Sequence, residues 1–284
     1  AENGYGCRPG DFMSAPNSID HPLTKEELWS ALCQAVSHTD AEMVGPLATN
    51  GEAWGVSRSM DPEAKNIAQL FLPLLGPIPA DRPLVVGHLA QSLDGYIAKV
   101  DGESHWISGP EDLDHTHRLR AFCDAVLVGA RTVSRDDCRL TVRRCEGSHP
   151  LRVVLDPSGA LDHNKAVFQQ QEGAVLHVVS TPTTSAPGVE QLTVASTEGH
   201  FDLKALCSVL HQRGVRRLFI EGGGVTITRF LMAGLLDRLH LAIAPILLGH
   251  GRPGFAAPFG RSLSESPRPS VAVIPMGNDW LFDC

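Results

Sequence analysis

The 284-residue sequence has no apolar run of the roughly 18 residues that a membrane-spanning helix needs. It has no Cys-x-x-Cys pair among its seven cysteines and no HExxH among its thirteen histidines, so no metal site is expected. His115 and His117 are two apart, which places them on different faces of a helix. The cysteines (Cys7, Cys33, Cys123, Cys138, Cys145, Cys207 and Cys284) are odd in number and scattered, as expected of reduced thiols in a cytoplasmic protein. Basic residues are not in excess. Lys and Arg number 24 against 32 Asp and Glu, a net charge of −8, so no general attraction to nucleic acid or anionic membrane is expected. The first residues, AENGYGCRPG, lack the charged-then-apolar order of a leader and begin without Met, as expected of a processed or trimmed chain. No internal repeat is present.

A hydrophobic content of 43% is enough for one large core, or one domain with a smaller addition. The pattern changes at residue 82. Residues 1–82 read as a partly helical extension without recognisable chemistry, expected to be a cover on the main domain. Its first 20 or so residues are rich in Gly, Pro and Asn and are expected to be disordered or surface-wrapped. Leu23–Val36 reads as a helix, with Thr24 and Glu27 forming a capping box. Pro62–Leu72 reads as another, capped by Asp61. Four prolines in 73–83 mark a linker.

Residues 83–284 alternate strand and helix signals. Strands are expected at Leu84–Leu89, Ala125–Val128, Leu151–Leu155, Val175–Val179 and Arg216–Ile220, then Leu239–Ile246, Ser270–Ile274 and Trp280–Phe282. Helices are expected at Pro110–Phe122, Asp202–Arg213 and Val225–Gly234. Such alternation predicts an α/β domain with a mainly parallel sheet. The late strands, with no helix between them, predict an antiparallel edge.

Ligands of such sheets bind beyond the carboxyl ends of the strands. There the sequence places Glu221-Gly222-Gly223-Gly224-Val225-Thr226. Three glycines let a backbone approach a phosphate without a Cβ clash, and the helix behind them offers free amides and a positive dipole end. Thr226 adds a hydroxyl and Arg229 a charge one turn in. A Gly triplet before a helix is also the mark of a tight turn. This one matches neither the GxGxxG nor the GxxxxGK[ST] pattern.

The short motifs acquire meaning in order: SLDG at 92–95, GESHWI at 102–107, LRA at 119–121, VGARTV at 128–133, DDCRLTVR at 136–143, LRVVLD at 151–156, EGGG at 221–224 and LLDRLHLAIAPILLG at 235–249. The series closely resembles the pyrimidine-reductase domain of bifunctional riboflavin biosynthesis proteins, over residues 83–284. The HxE and PCxxC zinc signature of their deaminase half does not occur in this sequence. The resemblance implies a three-layer, dihydrofolate-reductase-like α/β fold with a mainly parallel mixed sheet and antiparallel C-terminal strands. It also implies a homodimer, NADPH as cofactor, and hydride transfer to the ribose of a ribosylamino-pyrimidine phosphate.

By the same resemblance, Ala90, Trp106, Thr132, Asp136, Asp156 and Pro157 line the cofactor site. Gly222, Gly223, Gly224, Val225, Thr226, Ile227 and Arg229 hold the cofactor. His88, Ser104, Arg120, Leu140, Arg143 and Glu221 contact the substrate, and Glu221 and Asp136 are the candidate catalytic groups. Trp106 has a core reading beside this one. Asp94 reads as a turn carboxylate. The sequence departs from the family at three points. His88 stands where a lysine is usual, Cys138 replaces a proline, and Pro157 replaces a hydroxyl residue. Two alternatives stand beside the main reading: a related NADPH reductase with a different pterin or pyrimidine substrate, and a non-catalytic nucleotide-binding relative. The apolar LAIAPILLG stretch fits an interface strand or a core strand.

Overall fold

The computed structural model describes residues 21–37, 42–50, 53–169, 172–260 and 262–284, so the reading of the first 20 residues lies outside the described part. In the N-terminal stretch, helix α1 (Lys25–Ser37) starts at the expected capping box. Thr24 N donates to Glu27 Oε2 at 2.9 Å, and Glu27 N donates to Thr24 Oγ1 at 3.3 Å. Three short strands follow as a small antiparallel sheet: β1 (Met43–Val44), β2 (Leu47–Thr49) and β3 (Trp54–Val56). Strands of two or three residues carry no readable period, which is why this stretch looked only helical in sequence. Helix α2 (Pro62–Phe71) is capped by Asp61, which accepts from Ala64 N at 2.7 Å.

The main domain then runs β4 (Leu84–Ser92), β5 (Tyr96–Lys99), α3 (Pro110–Phe122), β6 (Ala125–Gly129), α4 (Ala130–Asp136), β7 (Leu151–Leu155), α5 (Ala166–Gln169), β8 (Val175–Val179) and β9 (Glu190–Thr193). It continues with β10 (Ser196–Thr197), β11 (His200–Phe201), α6 (Leu203–Gln212), β12 (Arg217–Glu221), α7 (Gly224–Met232), β13 (Arg238–Ala244), β14 (Gly251–Pro253), β15 (Ala272–Met276) and β16 (Asp279–Asp283).

Nine strands form the central sheet, in the order β15-β16-β13-β4-β12-β6-β7-β8-β9. Strands β13 to β9 in that order pair parallel, while β16 joins β13, and β15 joins β16, antiparallel. The expected mixed sheet with an antiparallel C-terminal edge is therefore present. The period of two along each strand sorts side chains into two cores. Val86, Val126 and Phe219 face a layer with α3 and the N-terminal helices, whereas Val85, Leu127, Leu218 and Ile220 face α6 and α7. Trp29 of α1 packs against Phe71 and Phe122, and its indole donates to Glu146 O at 2.9 Å. The extension and the sheet thus share one buried cluster.

Helix α4 lies where the sequence showed only a turn. Its N-cap is Gly129, without a side-chain hydrogen bond, and Thr132, Val133 and Ser134 in its middle are weak helix formers. Burial of Val133 against the sheet fixes it instead. Helix α7 begins at Gly224, one residue before the expected start, and ends at Met232, short of Gly234 at φ +66°.

Between α3 and the sheet lies a layer of buried histidines. His88 Nδ1 donates to His240 O at 2.9 Å, and its Nε2 lies 3.0 Å from Asp112. His115 Nε2 and His240 Nδ1 share a hydrogen bond of 2.9 Å. Burial opposes charge on His88, yet the Asp112 carboxylate outweighs it and raises its pKa. Burial first, then neighbouring positive charge, holds His115 and His240 well below the ordinary value. A histidine with a depressed folded pKa binds its proton better when unfolded. Its contribution to stability is therefore present above about pH 6.5 and is lost as pH falls below it. His88 acts in the opposite sense, but it is one group against two. The urea midpoint is expected to drop between pH 7.5 and pH 5.5, and His115→Gln to flatten that slope. A midpoint independent of pH in the wild type would contradict the neutral state of His115 and His240.

Candidate active site

Strand β4 sits between β12 and β13, and the chain reaches β6 before returning to place β12 between β4 and β6. Such a reversal opens a crevice at the carboxyl ends of the strands. A cleft of about 460 Å³ lies there. Gly129–Thr132 and Gly223–Thr226 form its floor, Ile97, Ala98, Arg252 and Pro253 its roof, and Gly199–Phe201 its end wall. The roof is a two-stranded ribbon of β5 and β14.

Glycines seat these parts by close approach. A Cβ on Gly224 would lie 2.1 Å from Gly254 O, and one on Gly251 would lie 2.1 Å from Ala98 O. Gly223 is different, since its Cβ would meet only Thr132 Oγ1, at 3.4 Å. Space above Gly223 is therefore left for something other than the protein. Gly223 N donates to Thr132 Oγ1 at 3.3 Å, and the Gly224 and Val225 amides at the start of α7 have no preceding carbonyl to bond, whereas Thr226 N already bonds Gly223 O at 2.9 Å. Together they form a cradle suited to an anion. A diphosphate of a dinucleotide cofactor fits this donor set.

A buried ion pair adjoins the cradle. Arg120 Nε donates to Glu221 Oε2 at 2.6 Å, Nη2 donates to Oε1 at 2.5 Å, and Nη1 donates to Thr141 O at 2.9 Å. His117 beside it is driven down to about 3, by burial first and then by Arg120 and Arg143, so it is neutral. Its Nδ1 accepts from Arg143 N at 2.9 Å. The Arg143 guanidinium bonds Thr141 Oγ1 at 2.6 Å and has no carboxylate within ion-pair distance among the described residues. Partial burial, then repulsion from Arg120 and Arg139, lowers its pKa. Asp136 stands at the cleft mouth. Desolvation against the cleft walls raises its pKa, Glu221 adds to the rise and His105 opposes it. Desolvation, with help from Glu221 and Asp136, pushes the Cys138 thiol up to about 12.

Of the residues singled out in sequence, Ser104, Thr132, Asp136, Pro157, Gly223, Gly224, Val225, Thr226 and Arg229 border the cleft. Gly222 supplies the turn at φ +64°. Others do not face it. His88 is 6% exposed with both ring nitrogens engaged, so it has no free donor for a substrate. Ala90 is half-buried mid-strand opposite Ala242 and does not line the cleft. Trp106 is 83% exposed at φ +67°, so its core reading does not hold, and it is not among the residues that line the cleft. Asp156 is buried and spends its oxygens on His177 Nε2, Leu161 N and Ser158 Oγ, which shapes the loop behind Pro157. Leu140 is fully buried at φ +59°, and its side chain belongs to the core rather than to a substrate. Ile227 is fully buried under α7, and its amide bonds Gly223 O. Arg120 is occupied by Glu221. Asp94 does hold a turn, accepting from Ser92 Oγ, Leu248 N and Gly249 N.

Sequence reasoning passed over the roof ribbon and the β10–β11 hairpin, with Arg252 and His200. A signal existed for the ribbon. Residues 249–254 read GHGRPG, a GxGxxG spacing that itself contains a strand, β14, and opens no helix. Its glycines serve backbone approach to β5 and α7.

Among known proteins, residues 83–262 match the RibD C-terminal domain. The 2,5-diamino-6-ribosylamino-4(3H)-pyrimidinone 5′-phosphate reductase of Methanothermobacter thermautotrophicus is 37% identical over 191 residues, covering 65% of this chain and 87% of that protein. The riboflavin biosynthesis protein RibD of Aquifex aeolicus is 34% identical over 177 residues, which cover 61% of this chain and 49% of that longer protein. The structure of Acinetobacter baumannii RibD overlays with a TM-score of 0.65 at 30% identity, over 78% of this chain and 62% of that one. The match runs through every strand end that builds the cleft, and the chain belongs to the RibD C-terminal domain family.

Proposed function

We propose that this chain is an NADPH-dependent reductase that converts the ribose of a ribosylamino-pyrimidine 5′-phosphate to a ribityl chain. The glycine cradle carries the reading, because Gly223 leaves room above free amides at the start of α7. The named activity of the M. thermautotrophicus relative supports the substrate class.

When bound, a reduced nicotinamide supplies the hydride. In this reading the amides at the start of α7 hold the diphosphate, and Thr132 fixes Gly223 for that task. Pro157 and the half-buried wall of α7 confine the dinucleotide. Arg143 is the unpaired cation for the substrate phosphate, which its planar fork suits. Ser104 adds a hydroxyl from the β5 side. Reduction of the opened imine adds a hydride to carbon and a proton to nitrogen. Asp136, kept toward its neutral form, donates that proton, while Glu221 stays fixed by Arg120 and holds the local potential negative. Residues 1–82 act as a cover over the reductase domain at 83–284, a role that the shared core supports. Among the described residues no helix is long and apolar enough to cross a membrane, and no group of His, Cys, Asp and Glu is arranged to hold a metal. A cytoplasmic location is part of this proposal.

A homodimer belongs to the same reading. On the outer face of the sheet edge, Ile243 pairs with Trp280 and Trp280 with Pro275, while Leu241 pairs with Phe282 and Phe282 with Val273. Trp280 and Val273 are exposed there. An apolar sheet face of this kind, running along an open edge strand, fits a second copy of the chain.

The direct test is NADPH oxidation by purified protein with the ribosylamino-pyrimidine phosphate, either as the diamino or as the deaminated form. Turnover is expected, and Gly223→Val should abolish NADPH binding, while Gly223→Ala, whose Cβ would meet only Thr132 Oγ1 at 3.4 Å, should weaken it with the melting temperature little changed. Full NADPH affinity in the valine variant would refute the cradle. Asp136→Asn should lower kcat by about 10²-fold or more with NADPH affinity retained. In the wild type, activity should fall as pH rises through the elevated pKa of Asp136. Sedimentation should report a dimer that Trp280→Glu converts to monomer, whereas a monomeric wild type would remove the dimer from the proposal.

A further inference from the structure

Four arginines border the cleft: Arg131, Arg135, Arg229 and Arg252. Their settings differ. Arg131 and Arg135 are exposed on α4. Arg252 lies along the roof against Gly102, where an added Cβ would meet its Nη2 at 3.0 Å. Arg229 stands one turn inside α7 on the face it shares with Val225, because residues four apart stack on one side of a helix. Its Nη2 donates to Nε2 of His200, at the tip of the β10–β11 hairpin.

That partnership is unusual in charge. Arginine has donors only, so His200 Nε2 must accept and the ring in this contact is neutral. A neutral ring brings no negative charge to the guanidinium. Arg82, Arg120, Arg144, Arg213 and Arg238 each have a carboxylate within ion-pair distance. No ion pair to Arg229 occurs among the described residues, and burial lowers its pKa without a charged neighbour acting against it. A half-buried cation facing a base instead of an acid is a site short of an anion.

We propose that Arg229 and His200 are the receptor for the phosphomonoester on the adenosine ribose of the cofactor, and so select NADPH over NADH. The inference rests on the cofactor reading above. One wall of the cleft carries two anion-seeking positions: the amides at the start of α7, and the Arg229–His200 pair about one turn, or ~5 Å, along the helix axis. A phosphorylated dinucleotide presents two matching charges, its bridging diphosphate and its separate ribose phosphate. The guanidinium fork bonds the monoester directly, and His200 holds the fork in place through Nε2.

The test measures dissociation constants for NADPH, NADH and adenosine 2′,5′-bisphosphate by calorimetry, on the full chain and on Arg229→Gln, His200→Gln and Arg131→Gln. Arg229→Gln is expected to weaken NADPH and the bisphosphate by about 10- to 100-fold, with NADH unchanged, and His200→Gln to give a smaller loss of the same kind. Retained NADH binding shows that each variant is folded. Equal losses for NADPH and NADH, or a selective loss confined to Arg131→Gln, would overturn the assignment. A wild type that binds NADH as tightly as NADPH would overturn the receptor and leave the cofactor reading standing, and one that binds none of the three would overturn both.

Discussion

A single guanidinium inside the protein joins the fold to the site. Arg120 reaches from α3 to the last residue of β12, closes a two-point contact on Glu221, and holds the carbonyl of Thr141 with its remaining nitrogen. Ions withdrawn from water in this way gain little over an apolar pair, but removal of one partner costs about 3–5 kcal/mol because the other is stranded. The cost enforces geometry. Glu221 immediately precedes the glycine cradle, and Thr141 lies in the loop that carries Cys138, Leu140 and Arg143. Helix α3, the end of β12 and that loop therefore cannot move independently. The same arrangement removes Arg120 from the set of cations open to a substrate and leaves Arg143, which has no acid of its own.

The glycines divide the labour of the cleft. Gly222 turns the chain with φ +64°, a conformation that side chains resist. Gly224, Gly251 and Gly254 let backbones and one side chain touch at distances no Cβ permits, which brings the roof down onto the floor. Gly223, at φ −59°, needs no such allowance, and an added Cβ would meet only Thr132 Oγ1. The triplet is thus three different physical requirements in a row. The tight turn is present at Gly222, and the open amides behind it are what the proposed anion cradle rests on.

Much of the architecture was legible from local signals. Helix Pro110–Phe122 has its proline at the first helical position, and strands Leu151–Leu155 and Val175–Val179 are short apolar runs between breakers, so their bounds read directly. What was not legible depends on tertiary partners. Helix α4 is only seven residues long and lacks a side-chain cap, and the β5–β14 ribbon joins segments far apart in sequence. Depth was the other blind spot. Alternation along β4 places His88 and Ala90 on one face, but it does not say that α3 closes over His88 and engages it with Asp112. Likewise, nothing local to Asp156 reveals that His177, from the neighbouring strand, takes up its carboxylate. A motif position fixes a residue's place along a strand, whereas its function depends on what covers it.

The chain's charge of −8 and its proposed polyanionic ligand do not conflict. Net charge sets the long-range field, but at physiological ionic strength that field is screened beyond about 8 Å. Within that distance the cleft is bordered by Arg131, Arg135, Arg229 and Arg252 and by the positive end of α7. Elsewhere, arginines such as Arg82, Arg144 and Arg213 are neutralised by Asp237, Asp114 and Glu190. Four arginines without an ion-pair partner among the described residues therefore border the crevice of a chain whose net charge is negative. Composition excluded a broad electropositive surface. It could not exclude a local one, because pairing rather than count decides where positive charge is available.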